Sequence, residues 1–222
     1  MSSEDQASGP AAGALFRRGL MLILSSPSGA VKTTLAGNLI AREGEDCVLS
    51  ISATTRPPRR GEADGEHYHF VAREEFEARR EAGAFLEWAE VFGNLYGTPR
   101  ASVETALRAG RDVVFDIDWQ GARQLAASAL GDVVRVFILP PSREALSQRL
   151  SARAADPPDV LALRLAGASE EMSHWEEYDY VIVNSDLDDS LAALQSILTA
   201  ERLKRSRRPG LAVFVAQLMS KS

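Results

Sequence analysis

The chain has 222 residues, 45% of them apolar and 25% charged, with 25 Lys+Arg against 31 Asp+Glu for a formal charge of −6. That length suits one core carrying insertions, and the acidic balance excludes a general binder of nucleic-acid polymers or anionic membranes, whose phosphates demand a basic excess. The single cysteine, Cys47, excludes an intramolecular disulfide framework and a zinc ribbon, and it points to a reducing compartment, the cytoplasm.

Residues 1–18 begin with Ser2, Ser3, Glu4, Asp5 and Gln6 and meet a basic pair, Arg17-Arg18, only at their end. A secretory signal has the opposite order, so a disordered tail is expected. No apolar run approaches the roughly 18 residues of a membrane span. From there, short aliphatic runs alternate with helical patterns. Leu20–Leu24, Val113–Ile117, Val133–Leu139 and Tyr180–Val183 read as buried strands of a parallel sheet, with helices expected at Thr33–Arg42, Gly121–Ala129, Arg143–Ala152 and Leu187–Leu203. This alternation is the signature of an α/β layered core.

Two stretches break the rhythm. Residues 53–98 are rich in charge, proline and aromatics; alternation at His67–Val71 predicts an antiparallel strand and Glu74–Ala82 a short helix, together a small α+β insertion. Residues 149–176 carry Arg149, Arg153 and Arg164 among many alanines and predict a helical hairpin projecting from the core. The run Arg202, Lys204, Arg205, Arg207 and Arg208 reads as a solvated helix end. His67 and His69 share a strand face, but no cysteine or further histidine lies nearby, so no metal site is assigned there.

The strand at Leu20–Leu24 runs into Ser25-Ser26-Pro27-Ser28-Gly29-Ala30-Val31-Lys32-Thr33-Thr34 and then an amphipathic helix. A phosphate loop needs this order. Its backbone N–H groups and the helix N-terminus surround a polyphosphate, a lysine reaches the β and γ oxygens, and the adjacent hydroxyl binds magnesium. Lys32 and Thr33 suit those two jobs. The strict pattern G-x-x-x-x-G-K-[ST] nevertheless fails at both glycines, with Ser26 at the first and Val31 at the second. A β-branched residue at positive φ costs roughly 1–3 kcal/mol. Taken alone, the segment reads either as a phosphate site or as an ordinary strand-to-helix turn.

Further along stand Ser52-Ala53-Thr54-Thr55-Arg56-Pro57-Pro58-Arg59-Arg60-Gly61-Glu62, Gly65-Glu66-His67-Tyr68-His69-Phe70, Phe85-Leu86-Glu87-Trp88-Ala89 and Gly93-Asn94-Leu95-Tyr96-Gly97-Thr98. Asp116-Ile117-Asp118-Trp119-Gln120-Gly121 and Tyr180-Val181-Ile182-Val183-Asn184 follow. In order and spacing these blocks resemble the guanylate kinase family over about residues 18–205. The resemblance implies a phosphate-loop NTPase-like parallel sheet flanked by helices, with a core of 19–52, 99–148 and 177–222, a GMP-binding insertion at 53–98 and a lid at 149–176.

Arg56 and Arg59, three apart in a Pro-stiffened segment, suit two guanidinium forks on one phosphate, and the Tyr68 and Tyr96 hydroxyls complete its donor shell. The alternative is a pair of solvated loop arginines. Glu87 is acceptor-only, and guanine's N1–H and N2 amino group form a donor edge that adenine lacks. By resemblance Glu87 reads that edge, Ser52 and Thr98 approach O6 and N7, and Asp118 assists near the amino group. Ser26, Pro27, Ser28, Gly29, Ala30, Val31, Lys32, Thr33, Thr34 and Asn184 are the expected ATP-binding residues. Thr33, and Asp116 through water, are the expected magnesium ligands, with Asp116 counted on the GMP side as well. A strand-end aspartate is otherwise a cap or turn residue. Arg149, Arg153 and Arg164 match the family's lid arginines, although Ala152 and Ala154 stand where glycines are usual. His174 and Trp175 are expected to pack at the lid base.

The resemblance therefore implies reversible transfer of the γ-phosphoryl group of MgATP to GMP, or dGMP, giving ADP and GDP. Its partners would be small nucleotides, and self-association is the one further partner left open. Val31 keeps two alternatives in view: a non-catalytic module that binds through its GMP face, and an enzyme impaired toward ATP.

Overall fold

The computed structural model describes residues 16–27, 31–91, 93–128, 131–153 and 158–220, with the backbone alone at 91, 152–153 and 158–163. The tail expected at 1–18 therefore lies mostly outside the described residues.

The first strand, β1 (Met21–Ser25), is buried along its whole length. It passes through the phosphate-loop region into α1 (Lys32–Glu43), which buries Leu35, Ala36 and Leu39 at helical spacing. There follow β2 (Cys47–Leu49), β3 (Ala53–Thr54), β4 (His69–Phe70), α2 (Arg73–Glu81), β5 (Phe85–Val91), β6 (Asn94–Pro99), α3 (Arg100–Arg108), β7 (Asp112–Asp116) and α4 (Trp119–Ser128). The chain continues through β8 (Val133–Leu139), α5 (Arg143–Arg153), α6 (Pro158–Ser173), β9 (Tyr180–Val183), α7 (Leu187–Arg202) and α8 (Leu211–Met219).

Two sheets result. The larger is parallel throughout, in the order β2-β7-β1-β8-β9. Its central strand is apolar on both faces because both are covered. Leu20, Leu22 and Leu24 pack with Leu35 and Leu39 of α1 and with Leu191, Leu194 and Leu198 of α7. Met21 and Ile23 point the other way, among Val103 and Leu107 of α3 and Leu125 of α4. The smaller sheet has the order β4-β3-β6-β5 and sits on a separate cluster of Ala53, Phe76, Phe85 and Leu95, with the Phe76 and Phe85 rings stacked at 4.4 Å. Gly97 lies against this cluster. A Cβ there would come within 3.0 Å of the Phe76 ring and 3.1 Å of the Glu87 carbonyl, so a larger residue would push β6 away from β5.

Four expectations need correction. The strand Tyr180–Val183, expected to be buried, is the edge strand β9, with Val181 39% and Val183 56% exposed, because among the described residues nothing pairs with its outer side. The strand expected over His67–Val71 shrinks to His69–Phe70, and it pairs in parallel with β3, with Ala53 opposite His69 and Thr54 opposite Phe70. Residues 55–68 loop out and return the chain to the end from which β3 started, which forces the same direction. The basic C-terminal run is not simply solvated. Arg202 bonds Asp112 at 2.7 Å and Glu43 at 2.6 Å, and Arg207, 5% exposed, bonds Glu201 at 3.1 Å. Buried carboxylates at 112 and 201 need partners, and these arginines supply them. Trp175 leaves 46% of its surface exposed, whereas His174 packs, stacked on Trp119 with ring centroids 3.8 Å apart.

Candidate functional site

The site forms where the carboxyl ends of β1 and β7 lie side by side, in the register Leu24 to Asp116. This is the edge of an open parallel sheet at which α/β proteins bind their ligands. Ser25 ends β1 and donates its hydroxyl to the Ile117 carbonyl at 2.9 Å. After Ser26 and Pro27 the chain passes through Ser28, Gly29 and Ala30, which lie outside the described residues, and resumes at Val31. Val31 has φ 59° and ψ 25°, and is the one non-glycine residue at positive φ among those described. The turn from strand to helix takes a left-handed step here, at the position where a phosphate loop has glycine. The branched side chain therefore sits in a conformation it disfavours.

Lys32 and Thr33 open α1, whose first turn holds no carboxylate and receives no side-chain cap, so its N–H groups remain available to an anion. The Lys32 ammonium lies 2.9 Å from Asp116 Oδ1 and donates to the Ile117 carbonyl at 3.0 Å. Thr33 donates its hydroxyl to Asp116 Oδ2 at 2.6 Å. Thr34 is exposed on the next position of the helix. The structure thus joins a cation, a hydroxyl and a carboxylate, Lys32, Thr33 and Asp116, in one cluster.

A second cluster lies on β5 and β6 and at Ser52, just before β3. Glu87 is 8% exposed and accepts the hydroxyl proton of Thr98 at 2.6 Å; Ser52 and Thr98 have their hydroxyl oxygens 3.4 Å apart. Burial pushes the Glu87 carboxyl above its ordinary value, the Thr98 hydroxyl pulls it partly back, and the charge of Asp118 adds to the rise. Asp118 is exposed, and its Oδ1 caps the start of α4 by accepting the Gly121 N–H at 2.9 Å.

A third group surrounds Arg56. Its guanidinium lies 5.3 Å from the Tyr68 ring centroid, and the Tyr68 and Tyr96 rings meet edge to face at 5.9 Å. Glu62, which the sequence reading left without a role, grips Arg56 with both carboxylate oxygens at 2.9 and 3.0 Å. Its place in the Arg56–Glu62 run was the available signal. Arg59 joins this group through its backbone N–H, bonded to Glu62 at 2.7 Å, while the residue itself is exposed.

Among the arginines expected in the lid, Arg149 is half-buried on α5, with Nη1 lacking a hydrogen-bond partner and Nη2 donating to the Asn184 carbonyl at 3.4 Å. Arg164 is half-buried on α6, while the side chain of Arg153 and all of Ala154 lie outside the described residues. The Asn184 side chain is buried and accepts the Ser190 hydroxyl at 2.9 Å. At the root of this hairpin Arg123 holds Glu177 and lies over the Trp119 ring at 4.7 Å, next to the Trp119–His174 stack.

The three groups are chemically distinct. The first offers a cation, a hydroxyl and a helix N-terminus to a polyphosphate. The second offers a buried acceptor beside hydroxyls, and the third a guanidinium between aromatic rings. The first two are linked at residues 116–118, since Asp116 touches the first group and the charge of Asp118 acts on the second. Oxygen donors such as Thr33 and Asp116 suit magnesium, which keeps most of its waters. Among the described residues no helix is long and apolar enough to cross a membrane.

Comparison with known proteins gives consistent results. A family model described as guanylate kinase matches residues 18–201. The guanylate kinase of Paramagnetospirillum magneticum is 58% identical over 202 residues, covering 91% of this chain and 94% of the relative. That of Nitrobacter winogradskyi is 59% identical over 202 residues, covering 91% and 92%. The crystal structure of guanylate kinase from Anaplasma phagocytophilum is 39% identical, with a TM-score of 0.74, and covers 94% of this chain and all of that one.

Proposed function

The chain belongs to the guanylate kinase family, and from that membership we infer that it reversibly transfers the γ-phosphoryl group of ATP to GMP, giving ADP and GDP. It is an ATP-dependent nucleoside monophosphate kinase. Relatives that match over nine-tenths of the chain carry an enzyme's name, which disfavours the non-catalytic module.

The observation that carries the reading is the meeting of two clusters at residues 116–118: a Lys32–Thr33–Asp116 group fitted to a triphosphate, and a buried Glu87 fitted to a base with two adjacent donors. We assign Lys32 and the α1 N-terminus to the ATP phosphates. Glu87, with Thr98 and Ser52 beside it, takes the guanine edge, and Arg56, Arg59, Tyr68 and Tyr96 take the GMP phosphate. Arg149, Arg153 and Arg164 are assigned to the charge developing on the transferred group. Thr33, and Asp116 through water, would hold magnesium, which when bound neutralises the β and γ oxygens. We assign the working location to the cytoplasm, in keeping with the free, buried thiol of Cys47.

In the transfer, an oxygen of the GMP phosphate bonds to the γ phosphorus as the bond to the β-bridging oxygen breaks, and that electron pair leaves on ADP. The acceptor is already ionised, so no strong general base is required. Aiming the acceptor in line and offsetting charge supply the catalysis. Lys32 must exchange its contacts with Asp116 and Ile117 for phosphate oxygens as the nucleotide enters. A coupled assay of ADP release with GMP, AMP and UMP tests the assignment: GMP should be strongly preferred, and equal rates with AMP and GMP would refute the role of Glu87.

A further inference from the structure

Glu62 is the carboxylate of the Arg56–Glu62 run, and the reaction, as assigned above, does not use it. Its carboxylate accepts from Nη1 and Nη2 of Arg56 at 2.9 and 3.0 Å and from the Arg59 N–H at 2.7 Å. Arg56 Nη1 also donates to the Pro57 carbonyl at 2.8 Å. A guanidinium has five N–H donors, and these bonds commit both on Nη1 and one on Nη2. The remaining two, on Nε and Nη2, lie along one edge and form a fork of the spacing that phosphate oxygens accept; the Tyr96 side chain, itself assigned to that phosphate, also hydrogen-bonds Arg56. The ring faces of Tyr68 at 5.3 Å and Phe70 at 5.8 Å limit how the guanidinium can turn about that arrangement. Both partners are largely covered, with side-chain exposures of 11% for Arg56 and 18% for Glu62.

We propose that Glu62 is a positioning residue for acceptor recognition: by holding the far edge of Arg56 and the backbone of Arg59, it turns the other edge of Arg56, on the side of the phosphate ligands, toward the acceptor phosphate. This rests on the reading of Arg56 as a phosphate ligand. The opposite role, a carboxylate that imitates the phosphate and must be expelled, would require Glu62 to occupy the edge the ligand uses. Glu62 instead takes the Nη1–Nη2 edge and makes no bond to Nε. The pairing also holds the Glu62 carboxyl down to about 2, so the clamp stays charged throughout the neutral range.

The test is steady-state kinetics on the full chain, varying GMP at saturating MgATP and the reverse, for the parent protein and E62Q, E62D, R56K and R56K/E62Q. Loss of an oriented charge-assisted fork should raise the KM for GMP about tenfold or more in E62Q. The KM for MgATP should stay within about twofold, and kcat should fall by less than the KM rises. E62D, which keeps the charge and guards against failure of E62Q to fold, should recover part of the loss. In R56K/E62Q the KM for GMP should be no worse than in R56K, because lysine has no fork to orient. An unchanged or lowered KM for GMP in E62Q, or an equal rise in both KM values, would overturn the proposal. An unchanged KM for GMP in R56K would instead overturn the reading of Arg56 on which it depends.

Discussion

Thr33 and Asp116 are joined by a 2.6 Å hydrogen bond across the ends of α1 and β7, and the other oxygen of the same carboxylate lies 2.9 Å from the Lys32 ammonium. One aspartate therefore holds both residues assigned to the triphosphate and its magnesium. The D116N substitution keeps the shape and removes the charge that orders the metal's water shell. Weakening by about 10- to 100-fold in metal dependence is the usual cost of such a change. The magnesium concentration giving half-maximal rate should rise by about that factor. An unaltered magnesium titration would remove Asp116 from the metal's surroundings.

Val31 at φ 59° holds a branched side chain where glycine is at ease. Replacing it with glycine relieves a strain of roughly 1–3 kcal/mol, offset in part by the extra freedom glycine gives the unfolded chain. A rise in Tm of a few degrees is expected, since about 1 kcal/mol corresponds to roughly 2–4 °C in a chain of this size. If the side chain also crowds the phosphates, V31G lowers the KM for ATP and leaves that for GMP alone. Differential scanning calorimetry with a kinetic comparison reads both effects, and a lower Tm would show that the loop accommodates valine without strain.

How much of this was legible in the sequence depends on the distance over which each residue is specified. The strand at Val133–Leu139 lies where its aliphatic run puts it, because a strand covered on both faces needs only such a run; the run at Tyr180–Val183 also forms a strand, but at the sheet edge, where Val181 and Val183 are exposed. The direction of β4 was not legible, since it depends on where residues 55–68 return the chain. Arg207 read as solvent-facing because nothing local reveals that Glu201 is 1% exposed and needs it. In the candidate site, Lys32, Thr33, Glu87 and Arg56 were readable as residue types in their blocks. The contact of Lys32 with Asp116 was not readable, because parallel pairing of β1 and β7 creates it. The grip of Glu62 on Arg56 was hidden because two opposite charges in one loop usually both face water.

Asp112 is 0% exposed and accepts four bonds: from Arg17 Nη1 and Nη2, from the Leu20 N–H, and from Arg202 Nε. It ties the segment before β1 to the end of α7. D112A leaves two arginines and a buried N–H without their acceptor, which costs about 3–5 kcal/mol in comparable sites. Thermal unfolding should shift down by roughly 6–20 °C. Activity per folded molecule well below the new midpoint should stay within about twofold, since Asp112 lies at the opposite end of β7 from Asp116. A small shift would mean that water takes the place of the carboxylate.

Glu87 sets recognition against stability. Its carboxyl is raised above the ordinary 4.5 chiefly by burial, so the folded chain holds this proton more tightly than the unfolded chain does. The stability it contributes is complete below about pH 4.5 and is lost as the pH rises through the elevated value, where the buried group must ionise. E87Q keeps an acceptor for the Thr98 hydroxyl and never ionises. Without ligand, its Tm should exceed that of the parent protein at pH 7–8, with the gap closing toward pH 4. The preference for GMP over AMP should fall by roughly 10²-fold or more, because a charged acceptor no longer faces the two donors of guanine. With saturating GMP the order of Tm values should reverse, as only the parent protein gains the full binding energy. If the parent protein is the more stable at neutral pH without ligand, burial of this charge is offset elsewhere, and the trade between recognition and stability does not exist.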